Sequence, residues 1–237
     1  MDEFLPAPDF HIQASPEAAA LQKLVLKHGE SFLVSDRRGD LPAHFEGELG
    51  FYHAGTRHLR WLELRLDGER PLLLDADIAP DNDRILVGLT NADTHAPDGR
   101  VLVPRNTIYL DRQLTLVDAH LLQTVAISSF LDAVHEVTLE LIFAADFRDV
   151  FEVRGTHRAR RGQLLGEDRE GGRVRLAYRG LDDVIRVTTL RFDPPPMVVA
   201  ANRAVYRLRL TPGDTVRMDL AVSAGDGAGA PRPADAV

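Results

Sequence analysis

Val137–Gly162, VTLELIFAADFRDVFEVRGTHRARRG, is the stretch on which the reading of the fold turns. Val137, Leu139, Leu141 and Phe143 alternate with Thr138, Glu140 and Ile142, so an extended chain presents one wholly apolar face and one mixed face. The alternation stops at Asp146. Phe147, Val150 and Phe151 then recur at spacings of three and four, which fits one short helical turn whose two rings are expected to be buried anchors against the sheet. Gly155 is expected to end that turn. Arg154, Arg158, Arg160 and Arg161 follow, within reach of Asp146, Asp149 and Glu152. Two readings stay open for this corner: a charge-paired surface, or a docking surface or polar-ligand site built from arginine forks.

Working outward, the same alternation recurs on both sides. Downstream come Gln163–Leu165, Val174–Tyr178, Val184–Phe192, Ala204–Leu210 and Thr215–Ser223. Upstream, Asn106–Val117, His120–Phe130 and Ala133–Phe147 read as long strands, and strands longer than the usual five or six residues imply broad, curved sheets. Thr56–Leu66 is a half-buried strand closed by a turn at Asp67-Gly68, and Pro71–Ile78 and Arg84–Thr90 follow it. Phe32–Ser35 pairs back on KLVLK (Lys23–Lys27), and DRRGD (Asp36–Asp40) is a charged turn in which Gly39 takes the unusual backbone angle. Asn91–Pro104 is a polar loop, long enough to connect sheets or act as a lid. The 14 prolines and 18 glycines fall largely between the strands. The expected architecture is all-β, a large antiparallel two-sheet sandwich with one or two short helical turns, near Pro16 and near Asp146. Residues 1–22 read as a lead-in, 23–223 as the sandwich and 224–237 as a flexible, linker-like tail.

Composition narrows the function. The chain of 237 residues is 44% hydrophobic and 27% charged, enough for a full core. It has no cysteine, which rules out disulfides, thiolate metal sites and a cysteine nucleophile. A net charge of −8 opposes binding to a nucleic-acid backbone, so nucleic acid is not an expected partner. No apolar run reaches the roughly 20 residues of a membrane span, and MDEFLPAPDF is unlike a signal peptide. A cytoplasmic, soluble protein is expected, with no membrane partner.

Three segments carry a family likeness: GESFLVSDRRGD (Gly29–Asp40), GFYHAGTRHLRWLELRLDGERPLLL (Gly50–Leu74) and ADFRDVFEVRGTHRARRG (Ala145–Gly162). In this order they resemble the N-terminal domain of bacterial proteins described as glycogen debranching enzymes or amylo-alpha-1,6-glucosidases. The resemblance implies a β-sandwich of the supersandwich type, preceding a separate (α/α) toroid that carries the catalytic carboxylates. It also implies that this chain is an accessory domain whose partner is that catalytic domain, with Arg154, Arg158, Arg160 and Arg161 as its candidate interface. An α-glucan oligosaccharide is a further expected contact. A stand-alone sugar-acting enzyme of epimerase type, or a carbohydrate-binding module, is the alternative reading.

Candidate chemistry is sparse. Glycoside hydrolysis needs two carboxyl groups facing one another across a sugar, and Glu46 with Glu48, or Asp146 with Asp149, are weak candidates because solvated or paired carboxylates are the rule on such segments. No catalytic residue is assigned. The histidines are too scattered for a zinc motif and no glycine-rich phosphate loop is present, so no metal or other cofactor is expected. Sugar binding asks for an aromatic platform beside forked donors and acceptors, and Tyr52, His53, Arg57 and Trp61 lie close together among glycines. A lone tryptophan on an alternating strand is equally suited to a core or an interdomain contact.

Overall fold

The computed structural model describes residues 22–45, 47–200 and 202–227. The helical turn expected at Pro16, Glu46 and the tail beyond residue 227 lie outside them. In chain order the strands begin with β1 (Lys23–His28), β2 (Ser31–Asp36), β3 (Gly50–His53), β4 (Thr56–Leu59), β5 (Trp61–Leu66) and β6 (Leu72–Ile78). The middle of the chain supplies β7 (Arg84–Thr90), β8 (Thr94–His95), β9 (Val101–Val103), β10 (Ile108–Val117), β11 (His120–Ser129) and β12 (His135–Ala144). One helical turn, α1 (Val150–Val153), precedes β13 (Gln163–Glu170), β14 (Arg173–Arg179), β15 (Ile185–Asp193), β16 (Val198–Ala200), β17 (Arg203–Leu210) and β18 (Thr215–Asp226).

Eight strands form one antiparallel sheet in the order β13-β14-β15-β18-β11-β10-β7-β6. The facing layer is built from two four-stranded sheets, β1-β2-β3-β4 and β16-β17-β12-β5. They meet because β4 and β5 are successive halves of a single run. β4 pairs with β3 from Phe51↔Leu59 to His53↔Thr56, and β5 pairs with β12 from Leu139↔Leu66 to Ala144↔Trp61. Arg60 interrupts the ladder, yet its amide still donates to the Ala144 carbonyl at 2.9 Å. The sequence, an unbroken alternation over Thr56–Leu66, predicts one strand here.

The expected sandwich is therefore present, and its inner faces follow from the period of two. On β10, Ile108, Leu110, Arg112, Leu114 and Leu116 point inward while Asp111 and Val117 are exposed. Leu110, Leu114, Leu121 and Ile127 of the large sheet share one core with Leu59, Leu62, Leu64 and Phe143 of the facing layer, all wholly buried. Phe143 and Phe192 span the two layers with ring centroids 5.9 Å apart. Burial of each such side chain stabilises by about 1.5–3 kcal/mol.

Several turns behave as the sequence predicts, and two differ in their consequences. Asp67 (φ 50°) and Gly68 (φ 85°) form the two left-handed positions of a tight turn, with the Leu66 amide donating to the Glu69 carbonyl at 2.8 Å. Past that turn, however, the chain crosses to the other sheet and β6 pairs with β7. DRRGD is a turn with Gly39 at φ 74°, but its carboxylates are interior rather than solvated: Asp36 is 4% and Asp40 1% exposed. The Asn91–Pro104 loop is tied down by Asn91, whose Nδ2 donates to the Pro104 carbonyl (2.8 Å) and whose Oδ1 accepts from the Ile108 amide (2.9 Å). β18 runs to Asp226, three residues beyond the expected strand end, with the Ala224 amide donating to the Ala119 carbonyl at 2.9 Å.

Candidate functional site

The corner after β12 is built around Phe147. Its φ of 51° is uncommon for a residue with a side chain, and it drives the ring inward to 3% exposure. The ring lies parallel to Tyr178 of β14 at 5.5 Å and meets the edge of His58 of β4 at 5.6 Å. The following backbone continues along β4: the Arg57 amide donates to the Arg148 carbonyl (2.8 Å) and the Val150 amide to the Gly55 carbonyl (3.0 Å).

Asp149 then starts α1. Its Oδ1 accepts from the amides of Phe151 and Glu152, both at 2.8 Å, while Glu152 Oε2 accepts from the Asp149 amide at 3.1 Å, a reciprocal capping box. Burial acts to raise the Asp149 pKa, but those amides and Arg158 outweigh it and hold the carboxyl below its ordinary range. Gly155 (φ 102°) follows the turn, as expected. Phe151 corrects the expectation of a second buried anchor. It is 60% exposed, because the turn that carries it starts only after Phe147 has left helical geometry, and the spacing of four does not place both rings on one face.

The arginines behave in two ways. Arg158 Nη2 reaches Asp149 Oδ2 (2.6 Å), and Arg161 reaches Glu152 Oε1 (3.0 Å) and the Asp146 carbonyl (2.7 Å) with its guanidinium 5.8 Å above the Tyr178 ring. Arg154 and Arg160 are exposed and make no ion pair among the described residues. Arg158, Arg160 and Arg161, together with Arg186, which holds Asp182 through two bonds of 2.8 and 3.1 Å, surround an open cavity of about 270 Å³ whose wall includes Leu181, 67% exposed; Arg154 lies outside it. The Arg186 partnership pulls the Asp182 pKa down to about 2. Gly162 is required where the chain passes Tyr178. A Cβ there would lie 1.9 Å from the Arg179 carbonyl oxygen, and its amide donates to the Tyr178 hydroxyl at 2.7 Å.

The four residues expected to gather for sugar are not one surface. Tyr52 is 1% exposed, stacked on Phe32 at 4.3 Å, and its hydroxyl donates to the Glu48 carbonyl (2.8 Å); burial pushes its pKa up to about 12. Arg57 is 4% exposed and grips Asp146 bidentately, Nε to Oδ1 at 3.0 Å and Nη2 to Oδ2 at 2.5 Å, while Nη1 donates to the Gly47 carbonyl at 2.8 Å. Burial acts to lower the Arg57 pKa, and Asp146 reverses the sign and raises it. Gly50 makes room for this arginine, since a Cβ would stand 2.5 Å from Arg57 Cδ. His53 is half-buried with Nδ1 2.9 Å from Ser31 Oγ. Trp61 is half-buried on β5, its Nε1 enclosed without a hydrogen-bond partner. Tyr52 and Arg57 are thus parts of the interior and not free to meet a ligand.

The weighed carboxylate pairs are likewise occupied. Asp146 belongs to Arg57, Asp149 caps α1, and Glu48 is ion-paired with Lys23 at the surface. No group of three or more histidine, aspartate or glutamate side chains able to hold a metal ion occurs among the described residues. No helix among them is long and apolar enough to cross a membrane. His58, Tyr178, Asp182 and Arg186 carry no local signal in the sequence, because they reach the corner only through the pairing of β14 with β15 and the packing of β4 on β15.

Comparison with known proteins adds the following. A family model described as the N-terminal domain of (some) glycogen debranching enzymes matches residues 26–221. A search of curated sequences finds no match. Among solved structures, a proposed kojibiose phosphorylase from the human microbiome is similar over 86% of this chain at 12% identity, with a TM-score of 0.52, and this chain spans 30% of its length. A structural-genomics target from Synechocystis sp. PCC 6803 is similar over 87% of this chain and 96% of its own, at 9% identity and a TM-score of 0.51. A proposed aldose 1-epimerase from Escherichia coli K12 is similar over 87% of this chain and 99% of its own, at 9% identity and a TM-score of 0.46. Identities this low speak to fold alone.

Proposed function

The chain belongs to the family of N-terminal domains of some glycogen debranching enzymes, and from that premise we propose that it is a non-catalytic β-sandwich that docks a separate catalytic domain through its arginine-rich corner. One observation carries the reading. Phe151, 60% exposed on a turn locked by its capping box, stands in the same corner as Arg154 and Arg160, which have no ion-pair partner among the described residues. A rigid aromatic anchor beside free guanidinium forks is the composition of an interface centre, where aromatic residues and arginine carry most of the binding energy. The arginines call for carboxylates on the partner, and Phe151 and Leu181 for an apolar recess.

The reading is tested by mixing this chain with a separately expressed catalytic domain, from the same or a partner polypeptide, and following association by calorimetry. Phe151→Ala and Arg160→Ala are each expected to weaken binding by about tenfold or more, and the Arg160 effect to shrink at high salt. Unchanged binding in both variants removes the corner from the interface. The non-catalytic half of the reading predicts that the chain alone releases no glucose from a branched dextrin. Release that disappears when one of its own carboxylates is mutated overturns it.

A further inference from the structure

β8 and β9 pair with each other and with no strand of the three larger sheets. A two-stranded hairpin is marginally stable by itself, and this one is anchored only at its base. There Asn91 Oδ1 accepts from the Thr107 amide (3.0 Å), Thr107 Oγ1 donates to the Pro104 carbonyl (2.6 Å), and Val103 enters the core. Beyond the base the apolar side chains of Val101 and Leu102 are uncovered, each more than 40% exposed. The Phe130 amide donates to the Thr107 carbonyl at 2.8 Å and so brings the loop between β11 and β12 to the same base. That loop adds Val134, also exposed, and Phe130, at 69% the most exposed large apolar side chain among the described residues. All of this lies at the end of the sandwich opposite the corner, because β12 begins at His135 beside the loop and runs 10 residues, about 30 Å, to Ala144 at the corner.

The charges beside this apolar patch are of both signs and are unspent. Among the described residues the exposed carboxylates of Asp93 and Asp98 accept only from backbone amides, those of Arg105 (2.7 Å) and Arg100 (3.0 Å), and the exposed guanidinium groups of Arg100 and Arg105 make no ion pair. A partner surface of one sign would satisfy half of these groups and oppose the other half. A second copy related by a two-fold axis does better, because in such a contact residue i meets j while j meets i, so each arginine can face an aspartate of the other copy and each aspartate an arginine.

We propose that the β8–β9 hairpin and the Phe130 loop form a self-complementary contact with a second copy of this chain, with Leu102 and Phe130 at its centre and the four charged residues on its rim. Residues 91–105 and 130–134 together supply about twenty residues, the lower bound for one side of a standard interface, so a weak dimer with a dissociation constant of about 1–10 μM is expected. Dimerisation through this end leaves both corners free, so each copy can dock a catalytic domain.

Sedimentation velocity of this chain from about 1 to 100 μM, a range that brackets the expected dissociation constant, tests the contact. The wild type is expected to pass from monomer to dimer, and Leu102→Asp and Phe130→Ala each to weaken the dimer by about tenfold or more. Charge pairing is tested by mixing. Arg100→Glu/Arg105→Glu and Asp93→Lys/Asp98→Lys are each expected to self-associate about tenfold more weakly than the wild type, and their equimolar mixture at low salt to dimerise more tightly than either alone. The aspartates also hold backbone amides, so if their variant does not fold, weakened self-association of Arg100→Glu/Arg105→Glu together with the two apolar variants decides. Phe151→Ala and Arg160→Ala are expected to leave the dimer unchanged, which separates this contact from the docking corner. A wild type monomeric throughout the range, a dimer indifferent to Leu102→Asp and Phe130→Ala, or a mixture no tighter than its folded components overturns the proposal.

Discussion

Arg112 of β10 donates through Nη1 to Asp40 Oδ1 at 2.5 Å, and the two residues are 0% and 1% exposed, so an ion pair lies within the sandwich and links its two layers. Neither group is left short of partners. Arg112 also holds Gln123 Oε1 (2.8 and 3.2 Å) and the Arg38 carbonyl (2.8 Å), and Asp40 accepts from Arg70 (2.8 and 3.2 Å) and from the Leu64 amide (3.1 Å). Asp36 completes the set by accepting from the same Arg70 at 2.5 Å. The buried Arg112 and the half-buried Arg70 thus balance two interior aspartates. Removing one charge leaves its partner buried and uncompensated, which costs about 3–5 kcal/mol. Arg112→Met is therefore expected to destabilise by that amount in urea unfolding, and Arg112→Met/Asp40→Asn by less than the sum of the single variants. A loss below about 1 kcal/mol for Arg112→Met would contradict the assignment.

The two phenylalanines of the corner should separate cleanly. Phe147→Ala deletes a ring packed between Tyr178 and His58, and a loss of about 3–5 kcal/mol is expected for such a buried aromatic. Phe151→Ala removes a mostly solvated ring and should change stability by no more than about 0.5 kcal/mol. Thermal and urea unfolding of the two variants tests the contrast. Equal losses would mean that Phe151 is also packed.

These results mark which features the sequence carries. Alternation and turn residues encode the strands well, because a period of two with one apolar face specifies burial locally, as in β10, β11 and β12. Local patterns do not report partners distant in the chain. DRRGD reads only as a charged turn, and the burial of its carboxylates is not legible, because Arg70 and Arg112 lie 30 and 72 positions from Asp40. Tyr52 and Arg57 read as ligand groups for the same reason, since the latter's carboxylate partner is 89 positions away. Spacing alone misplaces Phe151: the left-handed backbone of Phe147 breaks the helical phase, and sequence marks no such angle at a phenylalanine.

Gly162 supplies a sharper test of the corner. Its missing side chain lets the chain pass within contact of the Arg179 carbonyl and the Tyr178 ring. Backbone cannot swing aside as a flexible side chain does. Gly162→Ala is expected to force β13 away from β14 at that point, at a cost of about 1–3 kcal/mol, and to disturb the Arg161–Tyr178 contact. Hydrogen exchange should show the Gly162 amide losing protection. Wild-type protection with unaltered stability would mean that the close approach is not maintained in solution.

His58 gives the pH dependence its sign. It is 2% exposed, with Nδ1 3.1 Å from Thr188 Oγ1, and burial, aided by His53 and Arg186, pushes its pKa down to about 4. The ordinary value is about 6.5, so between these limits the unfolded chain binds more protons than the folded one, and stability falls as pH drops through this window. A difference of about 2.5 pH units corresponds to roughly 3 kcal/mol, fully present above about pH 6.5 and lost by about pH 4. Asp149 and Asp182, whose pKa values are lowered in the fold, contribute their own loss only below their ordinary carboxyl range, so the interval from about pH 6.5 to 4.5 isolates the histidine. His58→Phe keeps a ring against Phe147, and Thr188 Oγ1 retains its bond to the residue-58 carbonyl, 2.9 Å long in the wild type. Urea unfolding across that interval should therefore show a falling midpoint for the wild type and a flatter one for the variant. Parallel curves would place the titration elsewhere and return His58 to the role of a simple packing group.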